Sequence, residues 1–187
     1  MNNKQRIEHL NSIKEQLAKN MSDTDIKYYL GDCVIVYPDL KKYKNIFELL
    51  PTDKSYKVIL LETKKNYGHF FCICRYGNNL ETFDSYGRSI KKEFSYVPKM
   101  IQKILGEKED ELDNLMNTAP EDFDIIYNNH RLQSPAENIN TCGKWCVFRL
   151  QMLRDLDYTL EEFLGYVEKE CEERGCPPDV LVCNFVK

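Results

Sequence analysis

Two apolar, aromatic-rich runs joined by Gly77-Asn78-Asn79 constrain this chain more than any other feature. Residues 68–76 and 80–84 flank that turn signal, and a third run rich in Val, Ile and Leu, residues 56–62, precedes them. The centre of the chain therefore reads as a strand series with a hairpin at its heart. A tight turn at 77–79 pairs positions whose numbers sum to about 155, so residues 71–73 face 82–84. His69 then lies just past the end of the pairing, and Asp84 closes the shorter strand. Near neighbours across two antiparallel strands touch, so the Asp84 carboxylate can reach the His69 imidazole across the strand ends.

Helical patterns surround this centre. Residues 3–19 carry an apolar stripe of Ile7, Leu10, Ile13 and Leu17. A short helix follows over 23–30, capped by Ser22 or Asp23 and ended by Gly31. Residues 34–37 suit a strand or a buried connector, and 40–50 fit helix or loop equally well. Residues 88–118 read as helical with breaks at Pro98 and Gly106, and the acid-rich stretch 107–124 reads as an exposed, solvated loop. A strand at 123–127 and a polar loop at 128–141 lead into a helix over Cys142–Leu156, whose inward face is Cys146, Val147, Leu150 and Leu153. Residues 159–174 form an amphipathic helix capped by Thr159 and ended by Gly175, and an apolar tail follows Pro177-Pro178. With 187 residues, no internal repeat and no linker, a single domain over 1–187 is expected.

Composition narrows the functional classes. Nine Phe and twelve Tyr exclude disorder over most of the chain. Charge is uneven, +5 over residues 1–100 and −9 over 101–187, but neither half is basic enough to predict nucleic-acid binding, and the asymmetry reads as solvated surface. No apolar run approaches the ~20 residues of a membrane-spanning helix. The basic N-terminus has no apolar segment behind it, so no secretory signal is expected, and the eight cysteines are expected to be reduced thiols.

Three residues carry the chemistry. Cys142 follows a polar loop and opens a helix, within Asn140-Thr141-Cys142-Gly143-Lys144-Trp145-Cys146. A thiol is a weak nucleophile until it ionises, and a helix N-terminus and a nearby imidazolium both stabilise the thiolate. His69 supplies the imidazole, and Asp84 fixes its tautomer and supports its charge. An acyl-transfer transition state also needs donors for its oxyanion. The Cys142 backbone N–H and the side-chain amide of Gln133, the one glutamine of the preceding loop, are the candidates. His130 is a rival base but sits among polar residues and reads as surface or substrate-proximal; His9 reads as solvated.

At these residues the sequence resembles the adenovirus-type (adenain-like) cysteine proteases, in the wider clan that includes SUMO-deconjugating proteases. The order His, acid, Gln, Cys is met by Gly68-His69-Phe70, Phe83-Asp84-Ser85-Tyr86-Gly87, Leu132-Gln133-Ser134 and Thr141-Cys142-Gly143-Lys144-Trp145-Cys146. Upstream, Met21-Ser22-Asp23-Thr24-Asp25-Ile26-Lys27-Tyr28-Tyr29-Leu30 resembles the leading helix of capsid-maturation proteases in virophages and polinton-like elements. Gln133 precedes Cys142 by nine positions, more than is usual in the clan, and Phe70 stands where Trp is common.

The resemblance implies an α+β fold, with a small mixed central β-sheet flanked by helices and the nucleophile at the N-terminus of a central helix. It implies peptide hydrolysis through an acyl-enzyme, with His69, Asp84, Gln133 and Cys142 as catalytic residues and no cofactor or metal. Capsid precursor proteins are the implied substrates, with Gly or another small residue before the scissile bond. A monomer acting in the virion and the host-cell cytoplasm is expected, with no membrane or nucleic-acid partner. Two other readings stay open: a deconjugating protease for ubiquitin-like tails, and a non-catalytic binding or structural protein. The spacings Cys142-x₃-Cys146 and Cys171-x₄-Cys176 leave room for metal binding in the last of these.

Overall fold

The computed structural model describes residues 3–187. Its centre is a five-stranded mixed sheet with the strands in sequence order. The strands are β1 (Val34–Val36), β2 (Tyr56–Lys64), β3 (Tyr67–Tyr76), β4 (Asn79–Phe83) and β5 (Asp124–Tyr127). β2, β3 and β4 form an antiparallel meander, while β1 lies parallel to β2 and β5 parallel to β4. The α+β class expected from the sequence is present. The β3–β4 register pairs Cys72 with Phe83 and Ile73 with Thr82, as the turn at 77–79 predicts.

The two parallel pairs need crossovers, and both run over the same face of the sheet. One consists of a 3₁₀ helix, Tyr37–Lys42, and α3 (Ile46–Leu49); the other is α4 (Ile90–Phe94), α5 (Lys99–Leu105) and α6 (Glu111–Met116). Tyr37, Leu40, Ile46, Phe94, Leu112 and Met116 pack there against Ile59, Leu61, Phe71 and Ile73. The opposite face receives α2 (Asp23–Leu30), α7 (Cys142–Leu156), α8 (Leu160–Arg174) and α9 (Pro178–Phe185). There Trp145, Val147, Leu150, Phe163 and Leu181 pack against Val58, Leu60, Cys72 and Phe83. Because both faces are covered, β2 reads as a continuous apolar run rather than an alternating one.

Three elements differ from the sequence reading. In α1 (Asn3–Ala18) the apolar stripe is not buried: Ile7 is 59% and Leu10 48% exposed, because only the C-terminal end of the helix is tied to the body. The Asn140 backbone N–H and side-chain amide donate to the carbonyls of Leu17 and Ala18 there. The acid-rich stretch 107–124 is not an open loop, since Leu112, Leu115 and Met116 enter the second core. Its first acid, Glu107, is buried and accepts the Glu62 N–H at 2.7 Å, and burial pushes its carboxyl up to about 7. The apolar tail is the helix α9, with Pro178 in its first turn, where a missing N–H costs nothing.

The helix α7 is fixed to the sheet by a buried ion pair. Arg149 on α7 reaches Glu81 on β4 through Nε at 2.7 Å and Nη2 at 2.6 Å, and donates Nη1 to the Tyr158 carbonyl at 2.9 Å. Glu81 also accepts the Tyr76 hydroxyl at 2.9 Å. Removing one partner leaves the other charge uncompensated, so Arg149→Met is expected to cost about 3–5 kcal/mol in urea unfolding. Adding Glu81→Leu to that variant should restore most of the loss. A single-variant cost below about 1 kcal/mol would show that the pair does not hold α7.

Candidate active site

The sheet register builds the first half of the site. Cys72 opposite Phe83 ends the β3–β4 ladder, so residues 67–71 of β3 run on past β4. Position 84 faces position 71, which places Asp84 on the same side of the sheet as His69 and diagonal to it. His69 Nε2 lies 2.5 Å from Asp84 Oδ1. The second carboxylate oxygen, Oδ2, accepts the Arg88 N–H at 3.1 Å, and the Asp84 carbonyl accepts the Asn128 side-chain amide at 2.6 Å. Asp84 is buried and His69 nearly so.

The second half comes from α7. Cys142 is the first residue of that helix, and its N-cap Thr141 makes no capping bond, so the N-cap side chain takes none of the first-turn N–H groups. The Cys142 sulfur sits by the His69 ring and the backbone N–H groups of Phe70 and Gly143, each of which favours its thiolate. The Phe70 N–H belongs to the stretch of β3 that has no β4 partner. With Nε2 engaged by Asp84, Nδ1 is the ring nitrogen left for the sulfur.

These contacts set the charges. Burial pushes the Cys142 thiol up, but the His69 ring and the two N–H groups outweigh it and hold the thiol below its ordinary 9.0. Burial likewise opposes a charged His69, but hydrogen bonds to Asp84 and Cys142 hold the imidazole well above 6.5. Both shifts favour thiolate and imidazolium over the neutral pair, and the two groups titrate as a unit. Cys142 lines a groove of about 380 Å³ with Met21, Tyr67, Gly68, Phe70 and Asn140.

Gln133 is buried beside this cluster, and both of its amide hydrogens are spent within the protein. Oε1 accepts the Ser85 hydroxyl at 2.8 Å, and Nε2 donates to the Tyr86 hydroxyl at 3.2 Å and the Ile139 carbonyl at 3.1 Å. The structure thus brings His69, Asp84 and Cys142 together and joins Gln133 to them through Tyr86. The Tyr86 ring stacks on His69 with centroids 5.0 Å apart and planes 29° apart.

Two residues of the site escaped the sequence reading. Tyr86 lay inside a recognised motif, but a turn residue's direction cannot be taken from strand parity. Asp179 of α9 accepts the Ser134 N–H at 2.8 Å and the Thr141 hydroxyl at 2.5 Å, which clamps both ends of the loop between Gln133 and Cys142. Its one signal is that it is the lone acid in the apolar segment 178–186.

The remaining candidates lie elsewhere. His130 is exposed and lines a separate groove of about 1200 Å³ between β5 and α8. Cys72 and Cys146 meet in the core beneath α7, where burial raises both thiols. All eight cysteines are free, and no group of three or more His, Cys, Asp or Glu among the described residues is arranged to hold a metal ion. Among the described residues, no helix is long and apolar enough to cross a membrane.

Fold and site together define an α+β protein with a Cys142, His69 and Asp84 cluster at the end of a mixed sheet. The uncharacterized protein V9 of Sputnik virophage is 37% identical to it over 150 residues, covering 80% of this chain and 82% of that protein. The chain belongs to the family of that virophage protein. No family model matches the sequence.

The charge state of Cys142 has a pH signature. The thiolate forms as pH rises through the lowered Cys142 value, and the raised His69 value keeps the ring charged to higher pH than an ordinary imidazole. Iodoacetamide is therefore expected to label Cys142 selectively at neutral pH, with an onset below the ordinary 9.0. Cys33, pushed up to about 11 by burial, should stay inert. His69→Ala should move the Cys142 onset upward. Equal, slow labelling of all eight cysteines, read by mass spectrometry, would contradict the ion pair.

Proposed function

We propose that this protein is a cysteine endopeptidase that cleaves capsid precursor proteins during virion maturation. The observation that carries the proposal is the hydrogen bond between Asp84 and His69 together with the His69 ring that lowers the Cys142 thiol beside it. The virophage relative supports the viral setting, and the motif resemblance supports the substrate class, with small residues before the scissile bond.

The chemistry follows from the charge states. The Cys142 thiolate attacks the scissile carbonyl carbon; the carbon–sulfur bond forms as the carbonyl π pair moves onto oxygen. Collapse of that intermediate breaks the carbon–nitrogen bond, and the departing amine takes its proton from the His69 imidazolium. Water then attacks the thioester and gives a proton to His69, and the carbon–sulfur bond breaks to restore the thiolate. Asp84 holds the ring in register through both steps. The protein would act in the virion and in the host-cell cytoplasm.

Incubation with the structural proteins encoded in the same genome, read by mass for new termini, tests the proposal. The protein should generate discrete new termini, and Cys142→Ala should lower their rate of formation by about 10³-fold or more while the thermal unfolding midpoint stays within a few degrees. Undiminished cleavage by Cys142→Ala, or no cleavage of any of these proteins by the intact protein, would overturn it.

A further inference from the structure

A tetrahedral intermediate needs a hydrogen-bond donor that is not already engaged, and Gln133 has none left. Its Nε2 donates to Ile139 and Tyr86, and its Oε1 is pinned by the Ser85 hydroxyl, which fixes the orientation of the amide. The Tyr86 hydroxyl is different. It accepts from Gln133, and among the described residues no acceptor takes its own proton. We infer that the Tyr86 hydroxyl is the side-chain donor to the oxyanion formed at Cys142, and that Gln133 is the positioning residue that aims it. This inference rests on the peptidase reading of the site.

Three observations support it. Stacking on His69 fixes the phenol ring against the imidazole that contacts the sulfur. Donation by Gln133 occupies a lone pair of the hydroxyl oxygen, and the O–H then points away from that amide. The phenol also feels the Cys142 charge. Burial, followed by that charge, pushes it up to about 12, so the O–H is intact at any working pH. The Cys142 backbone N–H, open at the start of α7, is the second donor. Both donate hydrogen bonds as the π pair moves onto oxygen, and neither transfers its proton.

Two probes that react with the same sulfur separate this role from a structural one. p-Nitrophenyl acetate acylates Cys142 through a tetrahedral oxyanion, whereas iodoacetamide alkylates it by displacement at a saturated carbon with no oxyanion. Tyr86→Phe keeps the stacked ring. It should slow acylation about 10²-fold while leaving the rate and pH onset of alkylation unchanged. Gln133→Ala should slow acylation to a similar extent, and the double variant should lose no more than Tyr86→Phe alone. Wild-type acylation by Tyr86→Phe, or an equal fall in acylation and alkylation, would overturn the inference. Losses that multiply in the double variant would also overturn it and place Gln133 directly on the oxyanion. Failure of the peptidase reading looks different: the unsubstituted protein would then alkylate Cys142 no faster than its other thiols.

Discussion

The contact between His69 Nε2 and Asp84 Oδ1, at 2.5 Å, is the interaction on which the rest of the site depends. It exists because β3 and β4 pair with a register that puts positions 71 and 84 opposite each other. A slip of one residue would turn Asp84 to the other face of the sheet, where Glu81 meets Arg149. With the carboxylate in place, a charged imidazole is tolerated in a nearly buried position, and that charge is what lowers the thiol. Without it, the burial that opposes both charges would be countered only by the contact between ring and sulfur and by the N–H groups of Phe70 and Gly143.

The turn after β4 acts as the hub of the site. Asp84 holds His69, Ser85 orients the Gln133 amide, and Tyr86 stacks on the imidazole. The Ser85 carbonyl also accepts the N–H groups of Leu132 and Gln133, each at 2.9 Å, which docks the loop before Cys142. Gly87 permits this closeness. Its φ is +67°, and a Cβ there would fall 2.6 Å from the His130 carbonyl carbon. Asp179 fixes the far end of the same loop from α9. Cys142 is therefore held from the sheet, from the turn and from the C-terminal helix.

Much of this was legible in the sequence because it rests on short-range rules. The β3–β4 register follows from a turn of known length, and that register alone brings His69 and Asp84 near each other. The start of α7 at Cys142 and the capping of α8 by Thr159 follow from local patterns. What was not legible depends on long-range packing. The exposure of Ile7 and Leu10 is decided by what the rest of the chain leaves uncovered, not by helical period. Glu107 reads as a surface acid until Glu62 is brought to it from 45 positions away. The direction of the Gln133 amide depends on Ser85 and Tyr86, which reach it across 48 and 47 positions.

The sulfur's ionisation can be seen without any substrate. Thiolates absorb in the ultraviolet where thiols do not, so a pH titration of the protein against Cys142→Ser isolates this one group. One thiolate's worth of absorbance should be present at neutral pH, vanish on acidification and be missing from Cys142→Ser. Superimposable titrations of the two proteins through neutral pH would mean that Cys142 is an ordinary buried thiol, and that the imidazole beside it does not activate it.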